Sequence, residues 1–128
     1  MRRILIAGSY IPTRQALALI LQRAGWEVDC VLTSHDTLAA LARRTYDVLL
    51  VDIDITPGDS WSFLSTLQRA PHHPPVVALT GTENACGAQA HTLGIKVVLP
   101  KPVRRSTLLA GVRAALANPW GQTSCFLC

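Results

Sequence analysis

Four polar or charged side chains able to do chemistry follow short apolar runs. Asp52 closes Val48-Leu49-Leu50-Val51, and Asp54 comes two residues later. Thr80, with Gly81 and Thr82, follows Val76-Val77-Ala78-Leu79. Lys101 stands between two prolines after Val97-Val98-Leu99. Carboxylates offer oxygen to a hard cation, a hydroxyl offers a further hydrogen bond, and an ammonium balances anionic charge. Such a set matters only if the chain brings its members to one place.

The runs that precede them predict how that happens. Ile4 to Ala7, Val28 to Leu32, Val48 to Val51, Val76 to Leu79 and Val97 to Leu99 are continuous rather than alternating, as in parallel strands covered on both faces. Segments of helical spacing lie between them. Thr13 to Ala24 carries Leu17, Ile20 and Leu21 on one stripe, with Pro12 suited to a first turn and Gly25 to a stop. Asp36 to Arg44 carries Leu38, Leu41 and Ala42, with Ser34 or His35 near its cap. Ser60 to Arg69, Glu83 to Leu93 (interrupted by Gly87) and Ser106 to Ala117 complete the set. Five strand–helix units make a doubly wound α/β sheet of five parallel strands, with right-handed crossovers. Its site lies beyond the carboxyl ends of the strands, where these four residues fall.

Bulk properties narrow the class. The chain has 128 residues, 49% hydrophobic and 16% charged, enough apolar content for one packed domain. We expect that domain over residues 1–118, with 119–128 a poorly ordered tail or the start of a linker. Lys and Arg total 12 against 8 acidic residues, net +4. The basic groups come as scattered pairs, Arg2-Arg3, Arg43-Arg44 and Arg104-Arg105, without a stripe or interleaved aromatics, so no nucleic-acid partner is expected. No apolar stretch reaches membrane-spanning length and no signal peptide opens the chain, so a cytoplasmic protein without membrane contact is expected. Cys30 and Cys86 read as small buried hydrophobes. Cys125 and Cys128 form a Cys-x-x-Cys pair without redox context, or a weak prenylation signal; a chance tail is the simpler reading. His72 and His73 read as a solvated proline-rich loop, Trp61 as helix packing and Trp26 as a partly buried turn residue.

Over about residues 2–118 the chain resembles the receiver domains of bacterial response regulators, which have the flavodoxin-like (βα)5 fold. Tyr46-Asp47-Val48-Leu49-Leu50-Val51-Asp52-Ile53, Leu79-Thr80-Gly81 and Gly94-Ile95-Lys96-Val97-Val98-Leu99-Pro100-Lys101-Pro102 carry the resemblance. It implies Asp52 as phosphoacceptor, with Thr80 and Lys101 contacting the phosphoryl group. Arg14 falls where the family often has Arg. In the family, Mg²⁺ held by an acidic pair and the phosphoacceptor neutralises charge during transfer.

The sequence departs from that pattern at three places. Gly8 and Ser9 stand where the acidic pair belongs, removing two negative charges beside the retained Lys101. Asp54 either replaces part of that charge, making Asp52 and Asp54 the metal candidates, or is a solvated loop residue. Pro57-Gly58 is shifted by one position in the following loop. Val98 stands where the family has a switching aromatic in the last strand. The expectation is a non-enzymatic interaction module of receiver type, with no certain cofactor, weak Mg²⁺ binding and impaired phosphorylation.

Its partner is expected to be a protein, a histidine kinase or an output protein, or a second copy. The fourth helix, fifth strand and fifth helix would form the contact, with Lys96, Arg104, Arg105 and Arg113 facing an acidic surface. Two alternatives stay open. One is a working phospho-receiver using Asp52 with help from Asp54. The other is a flavodoxin-type small-molecule binder, with Gly8 to Thr13 cradling a phosphate at a helix start.

Overall fold

The computed structural model describes residues 2–8, 11–52, 66–67, 69, 73–80, 95–100, 103–117 and 124–125. In chain order the elements are β1 (Arg3–Ala7), α1 (Ile11–Arg23), β2 (Glu27–Val31), α2 (Ser34–Arg43), β3 (Val48–Asp52), β4 (Val76–Thr80), β5 (Ile95–Pro100), α3 (Arg105–Ala117) and β6 (Ser124–Cys125). The strands form one parallel sheet of order β2-β1-β3-β4-β5-β6. Its first five members follow the doubly wound 2-1-3-4-5 order, which reverses between β1 and β3. The expected helix Glu83–Leu93 lies outside the described residues, as does most of Ser60–Arg69, of which residues 66, 67 and 69 are helical.

Alternation along each strand sorts the apolar side chains onto two faces. Leu5, Ala7, Leu49, Val51, Val76, Ala78 and Val98 face one side, where Ala40 of α2, Tyr46 and Leu67 cover them. Ile4, Ile6, Val48, Leu50, Val77, Leu79, Val97 and Leu99 face the other, under Leu17 and Leu21 of α1 and Leu108, Val112 and Ala115 of α3. Both faces are buried, so the apolar runs need no polar residue. The register of β4 on β5 jumps from Val76↔Ile95 to Val77↔Val97, a bulge that leaves Lys96 opposite no β4 residue. The extra residue puts Ile95 and Val98 on the same face, although a regular strand would separate them.

Backbone chemistry sets the helix ends. Gly25 terminates α1 with φ of 98°, a conformation costly for other residues. Expectation placed the α2 cap at Ser34 or His35, but Thr33 performs it. Its extended backbone lets Oγ1 accept from the Asp36 amide at 3.0 Å. At the opposite edge of the sheet, the Arg3 amide donates to Asp47 Oδ2 at 2.8 Å, and the Arg3 guanidinium meets Glu27 Oε2 at 3.1 Å.

Two further expectations are corrected. Cys30 is exposed rather than buried, because β2 is the outermost strand and is only partly covered. The tail is not structureless throughout, because Ser124–Cys125 adds a strand to the far edge of β5. Trp26 is partly buried, as expected. No helix among the described residues is long and apolar enough to cross a membrane.

Candidate functional site

Register alone lines up the chemistry. Ala7 pairs with Val51, Asp52 with Leu79, and Thr80 with Pro100. The ends of β1, β3, β4 and β5 therefore bring Gly8, Asp52 and Thr80 to the carboxyl edge, at the sheet's switch point. Asp52 closes β3 half-buried and makes polar interactions there. Thr80 is the last residue of β4. Ser9, Asp54 and Lys101 lie outside the described residues.

Gly8 sits directly against Asp52. A Cβ built on Gly8 would stand 3.6 Å from the Asp52 Cβ, ordinary van der Waals contact. Both backbone groups of Gly8 are engaged: its amide donates to the Val31 carbonyl at 3.1 Å, and its carbonyl accepts from Arg14 Nη1 at 3.3 Å. Arg14 lies in the first turns of α1, which place its guanidinium over the end of β1. It also acts on Cys30, whose thiol is pushed up by partial desolvation, with the Arg14 charge opposing. The sequence placed Arg14 only by family position; its bond to the Gly8 carbonyl depends on how α1 packs. Among the described residues no group of three His, Cys, Asp or Glu side chains could hold a metal ion.

Val98, the position without an aromatic, is fully buried in β5, in the cluster of Leu5 and Ala78. Lys96 is half-buried on the β5 bulge and engaged in interactions. Arg104 and Arg105 are exposed at the start of α3, and Arg113 is exposed on its outer side. His73 is half-buried, its Nδ1 3.1 Å from the Pro74 carbonyl; His72 lies outside the described residues.

A second polar cluster was not legible in the sequence. Tyr46 donates its phenol to Asp29 Oδ2 at 2.6 Å, and Arg44 Nη1 meets the same oxygen at 3.5 Å. Burial and the Asp29 carboxylate push the Tyr46 phenol up to about 12. These groups border a cleft of about 450 Å³ between α2 and β2. They satisfy one another between β2 and the connection from α2 to β3, so no local spacing announced them.

A doubly wound parallel sheet with Asp52 and Thr80 at its switch-point edge defines a flavodoxin-like α/β domain. Residues 4–113 match the family described as the response regulator receiver domain, and the chain belongs to that family. It is a receiver domain of two-component signalling. It is 30% identical to the transcriptional regulatory protein PcoR of Escherichia coli over 125 residues, 97% of this chain and 55% of that protein. The chain thus spans about half the length of that relative. The chemotaxis response regulator CheY4 of Vibrio cholerae superposes with a TM-score of 0.80 at 23% identity, covering 88% of this chain and 97% of that one. The receiver domain of sensor histidine kinase PA1611 from Pseudomonas aeruginosa PAO1, solved with magnesium in its active-site cleft, superposes with a TM-score of 0.78 at 21% identity, covering 91% and 98%.

Proposed function

We propose that this receiver domain works as a protein-interaction module in which Mg²⁺-dependent phosphorylation of Asp52 is impaired or absent. One observation carries the reading: the residue packed against Asp52 is Gly8, which has no side chain to bind a cation. Magnesium demands near-octahedral oxygen coordination and draws on carboxylates to obtain it. The described residues offer Asp52, a glycine, and a Gly8 carbonyl already bonded to a guanidinium. That set does not fit a hard dication, and the Arg14 charge beside it opposes one further.

Asp52 on this reading is chiefly a structural anion, and Thr80 and Lys101 are kept in the sequence without serving as working phosphoryl contacts. The readout is also changed. Val98 is enclosed in the core, and a small branched side chain has no inward and outward rotamers of the kind an aromatic uses. Both features favour a single, constitutive conformation.

Receiver domains interact with histidine kinases or output domains, and the same class of protein partner is proposed here. The basic residues of α3 support an acidic partner. Arg105 opens α3 at the positive end of its dipole, and no acidic residue occupies that first turn. This arrangement costs the helix stability and leaves a cationic surface exposed. With Lys96, Arg104 and Arg113 it makes the proposed contact face, which a second copy of the chain would also use in a homodimer.

Beryllofluoride with Mg²⁺, followed through amide resonances, tests the proposal. The Asp52 and Thr80 signals are expected to stay in place in the presence of both. Displacement of these signals, saturating with Mg²⁺ and abolished by Asp54→Ala, would overturn it in favour of a working phospho-receiver that recruits Asp54.

A further inference from the structure

We propose that the cleft between α2 and β2 is a binding site for a small organic oxyanion, a molecule with an apolar body and one carboxylate or phosphate group. This goes beyond the interaction-module reading and does not depend on whether Asp52 is phosphorylated.

The cleft has the size and lining of a ligand site. Its volume of about 450 Å³ falls within the roughly 300–1,000 Å³ of small-molecule pockets. Leu5 of β1, Val31 of β2 and Ala40 of α2 supply apolar walls. Leu5 and Ala40 are buried, so they form the floor of a recess rather than a patch on the outer surface. β2 is the outermost strand, and no described strand pairs with its outer side, so nothing in the sheet closes the cleft from that direction. Val31 also ties the cleft to the carboxyl edge, because its carbonyl accepts from the Gly8 amide at 3.1 Å. An occupant is thus one hydrogen bond away from the residue packed against Asp52.

The polar groups of the cleft select an anion. Arg43 lies in the last turn of α2, and Arg44 caps that helix with extended backbone (φ −137°, ψ 154°), so consecutive arginines border one cleft. Asp29 is the one carboxylate in the lining. Its Oδ2 already accepts from the Tyr46 phenol at 2.6 Å and from Arg44 Nη1 at 3.5 Å, the latter at the long limit of a hydrogen bond. The Arg43 guanidinium has no ion pair or hydrogen bond among the described residues. The lining therefore carries two cations against one anion, and the Tyr46 phenol stays neutral. A guanidinium presents paired N–H donors that match the oxygens of a carboxylate or phosphate. Offsetting the negative end of the helix dipole accounts for a cation at this helix end, but not for the apolar recess beside it.

Titration of the full chain with naphthyl phosphate and with naphthoate, followed through amide resonances, tests the proposal. The amides of Leu5, Val31 and Ala40 are expected to shift and saturate, with a midpoint of about 1 mM for the better compound, as for a ligand of this size at ordinary efficiency. Tighter binding of the phosphate ester assigns the ligand to that class, and tighter binding of naphthoate assigns it to the carboxylic acids. Inorganic phosphate and neutral naphthol each lack half of the recognised chemistry and should bind at least about tenfold more weakly. Arg43→Gln, at an exposed position, should weaken binding by about tenfold while the Val48–Val51 resonances stay in place. Absence of a saturating shift at the lining amides with both naphthyl compounds overturns the proposal. So does inorganic phosphate binding as tightly as they do, which would make the arginines a general cationic surface, or an unchanged midpoint in Arg43→Gln.

Discussion

Gly8 and Asp52 are near neighbours across β1 and β3, and a Cβ on Gly8 would sit 3.6 Å from the Asp52 Cβ. That distance leaves room for a side chain. Gly25 is the only described glycine with a left-handed φ, so Gly8 can accept one without backbone strain. Gly8→Asp is therefore expected to fold and to tighten Mg²⁺ binding by about tenfold, because affinity follows the charge of the ligands. Tryptophan fluorescence or amide shifts during Mg²⁺ titration measure it. Arg14→Ala should tighten binding by a smaller factor, about threefold, by removing a nearby positive charge. Unchanged affinity in Gly8→Asp would mean that the missing carboxylate is not what limits binding.

Tyr46 should reveal itself by its titration. Its folded value of about 12 lies above the ordinary 10.0, through burial first and then the hydrogen bond to Asp29. The neutral phenol is the form the fold prefers. Its stabilising effect is complete below pH 10 and is lost as pH rises through 12. Phenolate absorbance should show a transition near 12, above the ordinary 10.0, and Tyr46→Phe should remove it. The same substitution should cost about 1 kcal/mol in urea denaturation, the worth of a buried hydrogen bond to a partly exposed carboxylate.

Arg105 is expected to trade stability for surface charge. Arg105→Glu replaces a cation with an anion at the positive end of α3 and should stabilise the domain by about 0.5–1 kcal/mol at low salt. The gain should shrink as salt screens the helix terminus. Thermal denaturation at two ionic strengths decides it; a loss of stability would mean that Arg105 makes a contact stronger than its clash with the dipole.

Gly111 sets the distance between α3 and β5. A Cβ there would meet Leu99 Cδ2 at 2.8 Å and Val97 Cγ1 at 3.2 Å, in a part of the core with no exposed atoms to yield. Overpacking of this kind costs about 1–3 kcal/mol, and the better helix propensity of alanine returns about 1. Gly111→Ala should therefore destabilise by about 1 kcal/mol in urea unfolding. A more stable variant would mean that Leu99 has a free rotamer to retreat into.

The repeating unit was readable from the chain because burial on both faces forces each central strand to be apolar throughout. Ile4 to Ala7 and Val48 to Val51 could hardly be anything else, and Asp52 stood out as the polar residue that ends such a run. Arg14 was visible only as a position in a familiar pattern. Its bond to the Gly8 carbonyl depends on the packing of α1 over β1 and β2. The Thr33 cap was missed by one residue because Thr33, Ser34 and His35 form a run of plausible helix starters, and only the backbone angles choose among them.

Sequence by itself determined the alternation of strands and helices and the placement of Asp52 and Thr80 at the ends of their apolar runs, because hydrophobic period and run ends are local properties, while the family entered through the resemblance of its motifs. Tertiary structure alone decided which residues meet. It set Gly8 against Asp52, paired Tyr46 with Asp29, left Cys30 exposed on the outermost strand, and put Ser124–Cys125 on the edge of β5. Each of these depends on how segments far apart in the chain come together. Their free energy depends on how strands order and register in the sheet, and no stretch of sequence encodes that alone.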